Sequence, residues 1–423
     1  MKRVVCAPNG TPGVPVGNVR YMLYNYGSRP GEGGVGARLI DEIRTMGLSA
    51  GPKAWDFLSI ALAVLAADEG ITRSDSPDGW TREISLTVAV ADAGFWATQA
   101  AALAQALRFL TTDIWALDFI EGGVQPAPVR GRAARPETVV SLLSGGMDSL
   151  IGAIDLVAQG ETPLFVSQVA KGDKANQIEF ANRISPRSLH AQLNHKAVHP
   201  VISERSQRAR SIIFFAFGAL AAENLTGRPG RVDLIVPENG YISINPPLTP
   251  LRLGSLSMRT THPYYLQALQ RVLDAAGLRA VLRNPYQLKT KGEMLAECLT
   301  PTLLADLVGR STSCGRYARS GFRQCGRCVP CLVRRASFHA SGQVDPTGPY
   351  RYDDLSLPGR AHRDFDDVRA VGYAWRVIQT DGFDAWLGGA LNSAVNPDAV
   401  GLRDVVRRGV TELGEFISDQ LGP

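Results

Sequence analysis

Short apolar runs alternate with longer amphipathic segments through the middle of the chain. The runs rich in Val, Ile and Leu predict buried strands, and the segments with apolar residues at helical spacing predict helices. The predicted strands are 138–143, 164–170, 196–202, 232–236 and 279–282, and the predicted helices are 148–158, 208–225, 261–276 and 290–298. This alternation is typical of an α/β fold with a doubly wound parallel sheet. Ligands of such sheets bind beyond the carboxyl ends of the strands, so we expect a site in the loops after the first, second and fourth strands.

The flanking segments have different patterns. Residues 122–137 are rich in Gly, Pro, Arg and Ala and lack an apolar period, which indicates a linker. We therefore predict an N-terminal α+β domain over 1–121, a central domain over 138–340 and a largely helical C-terminal region over 341–423. The further predicted elements are a strand at 84–90, a mobile Gly-rich loop at 27–36, and helices at 94–109, 367–379, 383–390 and 405–421.

The composition restricts the class of protein. Of the 423 residues 45% are hydrophobic and 20% are charged, a balance that excludes an intrinsically disordered protein. The net charge of +5 is too small to imply nucleic-acid binding by itself. The longest apolar runs, 57–67 and 212–222, are shorter than the roughly 20 residues of a membrane-spanning helix. The chain reaches Pro8 before any apolar segment forms, so we expect no secretory signal and a cytoplasmic protein.

The loop after the first central strand carries a Gly-rich motif, SGGMDS at 144–149. Its two glycines permit a tight turn with exposed N–H groups, which would face a ligand together with the positive end of the following helix. Asp148 could cap that helix or help to hold Mg²⁺. The motif predicts a site for a phosphate chain, with an ordinary strand–helix turn as the alternative. The residues predicted to contact the phosphates are Ser144, Gly145, Gly146, Asp148 and Ser149.

Four cysteines crowd into a short segment farther along the chain. Cys325, Cys328 and Cys331 have the spacing C-x₂-C-x₂-C, and Cys314 lies upstream of them. Four thiolates suit a tetrahedral Zn²⁺, with an iron–sulfur cluster as the alternative on coordination grounds. We therefore predict a zinc knuckle in a reducing compartment.

Arginines surround these cysteines. Residues 310–338 contain seven arginines and no acidic residue. Four thiolates with one Zn²⁺ carry a net negative charge, which part of this positive charge would balance. The rest would bind triphosphate or another anion, or form a solvated basic face.

These motifs resemble a known enzyme family. Residues 144–149 match the SGGxDS loop of the PP-loop ATP pyrophosphatases, and STSC at 311–314 with CGRCVPCLVRRASF at 325–338 closely resembles the zinc motif of the 7-cyano-7-deazaguanine synthases (QueC). Lys291, in KTKGEM, matches the lysine of that family. The resemblance covers roughly 137–340. Arg210 and Phe214 resemble its Arg-Asn-x-x-Phe helix, although Ser211 stands where the asparagine is expected.

The resemblance implies an ATP-dependent carbon–nitrogen ligase. QueC enzymes adenylate the carboxylate of 7-carboxy-7-deazaguanine, then use ammonia to form an amide and finally a nitrile. The loop would hold pyrophosphate while Mg²⁺ bridges the phosphates, and the catalytic residues implied are Asp148, Ser149 and Lys291. Zinc would shape the substrate side of the site without taking part in the chemistry.

The N-terminal region lies outside the synthase pattern. Its segments WDFL at 55–58, DGWTREI at 78–84 and FLTTDIW at 109–115 resemble the added domain of the QatC-type proteins of antiphage operons. This resemblance implies a partner protein whose amine accepts the deazaguanine. Ammonia as the acceptor, or a catalytically idle nucleotide-binding scaffold, remain alternatives. A homo-oligomer is compatible with the sequence. Four of the six tryptophans lie in the N-terminal region, where they form either an aromatic core or a docking surface, and His262 is either an acid–base group or structural.

Overall fold

A computed structural model describes residues 1–17, 19–27, 30–129, 135–200, 203–204, 207–249, 259–356, 367–388 and 398–421. The described strands are β1 (Lys2–Ala7), β2 (Val19–Leu23), β3 (Glu32–Val35), β4 (Glu83–Val90), β5 (Ile114–Glu121), β6 (Val139–Leu142), β7 (Pro163–Gln168), β8 (His190–Leu193), β9 (Ala197–Val198), β10 (Val232–Ile235) and β11 (Ala280–Arg283). The described α-helices are α1 (Leu39–Thr45), α2 (Pro52–Gly70), α3 (Ala93–Thr111), α4 (Met147–Ala158), α5 (Lys174–Ile184), α6 (Ser211–Ala222), α7 (Gly240–Ile244), α8 (Pro263–Ala275), α9 (Lys291–Ala296), α10 (Pro301–Val308), α11 (Val329–Ser341), α12 (Asp367–Asp381), α13 (Phe383–Leu387) and α14 (Ala399–Leu421).

The central sheet confirms the predicted doubly wound parallel architecture. Its strands lie in the order β11-β10-β6-β7-β8, and every neighbouring pair is parallel. The chain moves outward from β6 through β7 to β8, then returns to β10 on the other side of β6. The strand order therefore reverses between β6 and β10, and the loops after these two strands open at the same edge.

One predicted strand of this sheet, 196–202, is wrong. The third central strand is β8, and only Ala197 and Val198 of the predicted segment form a strand. That short strand, β9, pairs antiparallel with Val35 and Gly34 of β3 in the other sheet. Residues 201 and 202 lie outside the described part of the chain. The short apolar pairs of 196–202 fit an edge position in either sheet, so the sequence could not identify the partner strand.

The N-terminal sheet has the order β5-β4-β1-β2-β3-β9, in which all pairs except β3 with β9 are parallel. The prediction of a mobile loop over 27–36 is wrong for its second half, because Glu32–Val35 forms β3. Glycine is needed there for close packing: a Cβ added to Gly33 would lie 2.5 Å from the ring of Tyr21. Glycines that permit a close approach within a sheet have the same composition as glycines of a loop.

Helix α2 joins the two sheets into one core. Ala54–Gly70 are buried on every side of this helix, as expected for a helix that is apolar all round. The same core contains apolar residues of both sheets and of α6. Trp55, Trp96 and Trp115 are buried in it, so three of the four N-terminal tryptophans are core residues. Trp80 is 44% exposed.

The C-terminal region is helical, as predicted, with α14 beginning six residues earlier than expected. Helices α12 and α14 pack with α7 and α11 in one apolar cluster that includes Val371, Val410, Tyr241 and Leu332. Helix α13 ends at Leu387, and residues 389 and 390 of the predicted helix lie outside the described residues. Within the ranges that the structure covers, none of the helices has the length and apolar character that a bilayer crossing requires.

Candidate active site

The Gly-rich loop lies between β6 and α4, at the carboxyl edge of the central sheet. Gly145 has a φ of 91°, a left-handed conformation that favours glycine, and Gly146 is the N-cap of α4. The hydroxyls of Ser144 and Ser149 lie 3.0 Å apart, and Ser149 Oγ donates a hydrogen bond to the carbonyl of Gly146 at 2.9 Å. The first N–H groups of α4 have no intrahelical partner and are suited to an anion.

Two neighbouring elements fix the carbonyl groups of this loop. Gln177 on α5 donates from Nε2 to the carbonyl of Ser144 at 2.9 Å, and the Thr312 N–H donates to the carbonyl of Gly145 at 2.9 Å. Thr312 belongs to the segment that leads into Cys314. The cysteine-rich segment is therefore in direct contact with the candidate phosphate loop, although about 170 residues separate the two motifs.

Asp148 and Lys291 form a buried ion pair behind the loop. Lys291 Nζ lies 2.6 Å from Asp148 Oδ1, and the two side chains are 8% and 6% exposed. Asp148 Oδ2 accepts hydrogen bonds from Asn239, at 2.7 Å from the side-chain nitrogen and 3.1 Å from the backbone N–H. Asn239 follows β10, so the residues after β6 and β10 meet at the point where the strand order reverses. The structure thus places Lys291 beside the loop, where its role in binding phosphates stays a prediction.

Glu238 completes this cluster, and its surroundings favour the protonated form of its carboxyl group. Burial opposes the ionisation of Asp148, but Lys291 and the hydrogen bonds from Glu238 and Asn239 outweigh it and lower the pKa of Asp148 to about 2. Burial and the negative charge of Asp148 together raise the pKa of Glu238 well above its usual value. The protonated form of Glu238 is therefore favoured, and in that form it donates to the Asp148 carboxylate, which is paired with Lys291.

The raised pKa of Glu238 predicts how stability depends on pH. The folded protein retains a proton that the unfolded chain loses above pH 4.5, so this group lowers the stability of the wild type as pH rises toward its raised pKa. The amide introduced by the variant Glu238→Gln has no proton to lose and keeps an N–H donor for Asp148. We expect the melting temperature of Glu238→Gln, relative to wild type, to increase between pH 5 and pH 8. Parallel melting curves across that range would contradict the assignment.

A cavity of about 420 Å³ opens beside the loop. Ser144, Ser149 and Glu238 contribute to its wall, which places it where the phosphates of a nucleotide would enter. Asp148 and Lys291 do not line the cavity themselves and lie behind Ser149 and Glu238. Ser211 Oγ, on the cavity wall, is buried and has no hydrogen-bond partner, so a polar ligand group could bond to it. The cavity is also lined by Arg208, Arg210, Phe214 and Arg259.

The N-terminal region anchors two arginines of this cavity. Arg208 donates to the carbonyl of Thr111 at 3.3 Å, and Arg259 donates to the carbonyl of Phe109 at 3.1 Å. Both carbonyls lie in the last turn of α3, where the helix dipole favours cations. The Arg208 guanidinium also lies 4.4 Å from the ring of Trp80. The cavity therefore has a cationic wall that the N-terminal region holds in place.

The four cysteines converge on one buried point. Their Sγ atoms all lie within 4.8 Å of one another, with 3.8 Å between Cys325 and Cys331 and 3.9 Å between Cys314 and Cys328. A tetrahedral Zn²⁺ with bonds of about 2.3 Å separates its sulfur ligands by roughly 3.8 Å. The spacing leaves room for one ion between the sulfurs and not for a four-iron cluster. Backbone N–H groups of Arg316 and Cys325 donate to Cys314 Sγ, as expected around a thiolate ligand. The cluster therefore suggests zinc.

The arginines around the cysteines have different structural roles. Arg334 is fully buried and donates to Ser311 Oγ and to the carbonyl of Val308, both at 2.8 Å. Arg327 is buried as well and donates to the carbonyl of Leu355. These two arginines are structural, whereas Arg319 and Arg323 are exposed.

His262 is the N-cap of α8, where it accepts from the Tyr264 N–H, and burial lowers its pKa to about 4, which fits the structural alternative.

A second carboxylate near the loop fits Mg²⁺ better than Asp148 does. Both oxygens of Asp148 are engaged by Lys291 and Asn239. Asp173 packs against the loop, since a Cβ added to Gly145 would lie 3.3 Å from Asp173 Cβ. Its Oδ1 is buried without a hydrogen-bond partner. A hard oxygen ligand in this position would suit Mg²⁺ if the ion were bound together with nucleotide phosphates.

Three curated proteins that resemble the chain are each named 7-cyano-7-deazaguanine synthase. The one from Agrobacterium fabrum is 26% identical over 246 residues, which cover 52% of this chain and 92% of the relative. The one from Aromatoleum aromaticum is 24% identical over 236 residues, covering 51% and 99%. A shorter match to the protein of Paracoccus denitrificans is 33% identical over 99 residues, covering 22% and 38%. The chain is a distant homologue of these synthases.

This homology makes the chain a QueC-like enzyme, related to ATP-dependent ligases of the PP-loop type. The homology covers about half of the chain, as the sequence motifs predicted. No family model matches the chain, and no solved structure matches it. The specific resemblance to the QatC type remains a prediction.

Sequence reasoning located the loop, Lys291 and the cysteines but missed Glu238, Asn239 and Asp173 as site residues. Glu238 and Asn239 follow β10, one of the loops where a ligand was expected, so their position in the topology was the available signal. Asp173 has no motif around it. Its place beside Gly145 depends on how α5 packs against the loop.

Proposed function

We propose that the protein is an ATP-dependent ligase that adenylates the carboxylate of 7-carboxy-7-deazaguanine and transfers the acyl group to an amine of a partner protein, in the context of antiphage defence. The observation that carries the proposal is the arrangement at the strand-order reversal. A glycine loop with free helix N–H groups, a buried Asp148–Lys291 pair and a cationic cavity meet there. The distant homology to the synthases supports the carboxylate chemistry.

The first step joins the carboxylate to AMP. A carboxylate oxygen bonds to the α-phosphorus of ATP, the bond from that phosphorus to the bridging oxygen breaks, and pyrophosphate leaves with the electron pair. The N–H groups at the start of α4 and the hydroxyls of Ser144 and Ser149 would hold the leaving pyrophosphate. Lys291 would supply positive charge behind the loop, and Asp148 would hold its ammonium group in place.

The second step releases AMP. The amine nitrogen attacks the acyl carbon, the bond from that carbon to the AMP oxygen breaks, and the amine loses a proton. This step needs a pocket that excludes water and an opening through which the amine can enter. The cavity beside the loop, with Arg208 and Arg259 on its wall, would hold the acyl-adenylate, and a bound anion would interact with these arginines.

The exposed ring of Trp80 supports a protein acceptor. Trp80 is 44% exposed and packs on Arg208, which lines the cavity, so a protein bound at this tryptophan would lie at the cavity wall. Tryptophan is one of the residues enriched at the centres of protein interfaces. The N-terminal region, which resembles that of the QatC type, supplies this surface.

The proposal is tested by incubating the purified protein with ATP, Mg²⁺ and 7-carboxy-7-deazaguanine, with and without ammonium, and identifying products by mass spectrometry. We expect AMP that depends on the deazaguanine, an adenylate that persists without an acceptor, and a mass adduct once the partner protein is added. The variant Trp80→Ala should slow transfer to the partner and leave adenylate formation within about twofold of wild type. Absence of any substrate-dependent AMP would contradict the proposal and favour a nucleotide-binding scaffold.

A second candidate function is synthesis of the free nitrile with ammonia, since the relatives are named 7-cyano-7-deazaguanine synthases. Conversion of the intermediate amide to a nitrile removes its oxygen and consumes a second ATP. Two AMP molecules for each nitrile would support this function, whereas one AMP for each protein adduct would support the ligase.

A further inference from the structure

The long C-terminal helix α14 contacts both segments that hold Asp148. Gly409 packs against Tyr241 of α7, where an added Cβ would lie 2.6 Å from the tyrosine Cβ. Gly292 of α9 packs against Glu412, where an added Cβ would lie 2.6 Å from Oε1. Helix α7 follows Asn239 and helix α9 begins with Lys291. Helix α14 therefore supports the two segments that carry Lys291 and Asn239, which both bind Asp148.

Glu412 binds the start of the Lys291 helix from outside. Thr290 caps α9 with its hydroxyl oxygen, which accepts from the Glu293 N–H at 3.1 Å, and the Glu293 carboxylate accepts from the Thr290 N–H at 2.8 Å. The Thr290 hydroxyl donates its proton to Glu412, and the Gly292 N–H donates to the same carboxylate at 3.4 Å. Glu412 thus contacts the residues on both sides of Lys291.

Arg408 lies one helical turn before Glu412 on α14 and also binds the segment around Lys291. Its Nε donates to Glu293 at 2.6 Å, and a terminal nitrogen donates to the carbonyl of Leu288 at 2.7 Å. Burial, together with the nearby Glu293, raises the pKa of Glu412 to about 7 in spite of Arg408. The carboxylate is therefore desolvated where it meets α9, as a structural contact inside the protein would be.

We propose that Glu412 and Arg408 are positioning residues that fix Lys291 against Asp148, so that the C-terminal helical region builds part of the ATP site. The use of Lys291 with ATP rests on the proposed function, whereas its positioning by Glu412 does not. The positioning depends on two hydrogen bonds that join the start of α9 to the Glu412 side chain, one from the Thr290 hydroxyl and one from the Gly292 N–H. Cutting these bonds frees the first turn of α9, which carries the ammonium group.

The test measures Lys291 directly, without relying on activity. The full-length wild type and the variants Glu412→Ala, Glu412→Asp and Glu412→Gln are treated with N-hydroxysuccinimidyl acetate, and acetylation of Lys291 is quantified by peptide mass spectrometry. The exposed Lys196 provides the internal reference for reagent dose. Glu415→Ala, an exposed glutamate on the same helix, is the matched control.

We expect Glu412→Ala to raise the Lys291 labelling rate at least about fivefold relative to Lys196, because local opening of the first turn exposes the amine. Glu412→Gln, which keeps an acceptor for the Thr290 hydroxyl, should raise it less than about twofold, and Glu415→Ala should leave it unchanged. If Glu412→Ala fails to fold, Glu412→Asp decides, since its shorter side chain cannot reach Gly292. Labelling of Lys291 equal to wild type in a folded Glu412→Ala or Glu412→Asp would overturn the proposal.

A separate measurement distinguishes this proposal from the proposed function. Mg²⁺–ATP is expected to slow Lys291 labelling in the wild type. Absence of that protection would count against a role of Lys291 in ATP binding, while the variant series would still decide whether Glu412 positions it. For the active enzyme, we expect Glu412→Ala to raise KM for ATP about tenfold, and Glu415→Ala to leave KM and kcat at wild-type values.

Discussion

Replacement of Lys291 by methionine is expected to lower the rate of AMP formation by about 10²–10³-fold, because it removes a fixed positive charge at the phosphate loop. The same variant leaves Asp148, which is buried and charged, without its cation. Removing one partner of a buried ion pair typically costs about 3–5 kcal/mol of folding free energy. The measurements are steady-state AMP release and the free energy of unfolding in urea.

A double variant separates the loss of charge from the loss of stability. Lys291→Met combined with Asp148→Asn removes both charges and retains an amide for Asn239 to bond. We expect the double variant to recover most of the lost stability, since no uncompensated charge remains, and to stay inactive. A double variant with wild-type activity would show that the ion pair serves only the fold.

Removal of the metal is expected to have the second-largest effect. Cys331 is fully buried, and the variant Cys331→Ser removes one of four ligands from a site whose occupancy is coupled to folding. We expect about one zinc per chain in the wild type by elemental analysis, and a melting temperature about 10 °C lower in the variant. The matched control is Cys298→Ser, which also changes a buried cysteine but lies outside the cluster.

Loss of zinc should also weaken ATP binding. The segment before Cys314 supplies the Thr312 N–H that binds the carbonyl of Gly145, so a disordered knuckle would release one side of the phosphate loop. Wild-type ATP affinity in a folded, zinc-free Cys331→Ser protein would contradict this coupling. Equal zinc content in both cysteine variants would contradict the assignment of the ligands.

The residues that sequence reasoning identified are those that carry their chemistry in contiguous motifs. The loop at 144–149 and the cysteines at 325–331 are each recognisable from residues only a few positions apart. The strand predicted before the loop and the helix predicted after it are present as β6 and α4. Lys291 was found from its resemblance to the family lysine, and the ion pair that it forms with Asp148 emerges only when α4 and α9 are packed together.

The features that were missed depend on contacts between distant parts of the chain. Glu412 contacts Thr290 from a helix to which the sequence assigned no motif. The segment 196–202 has an acceptable strand pattern, and its residues 197–198 pair with β3 of the N-terminal sheet. Local strand propensity does not indicate which of the two sheets such a segment joins. The glycines of 27–36 have the composition of a loop, and the close approach of the Tyr21 ring and the Val198 carbonyl to Gly33 is visible only in the folded sheet.

In the proposed reaction, a carboxylate oxygen of the substrate attacks the α-phosphorus of ATP. The most direct test uses 7-carboxy-7-deazaguanine labelled with ¹⁸O in both carboxylate oxygens, with ATP, Mg²⁺ and the amine acceptor, and mass spectrometry of the AMP released. Attack through a carboxylate oxygen predicts AMP that carries one ¹⁸O and a product that retains the other. Unlabelled AMP, or ADP and phosphate in place of AMP, would contradict the account.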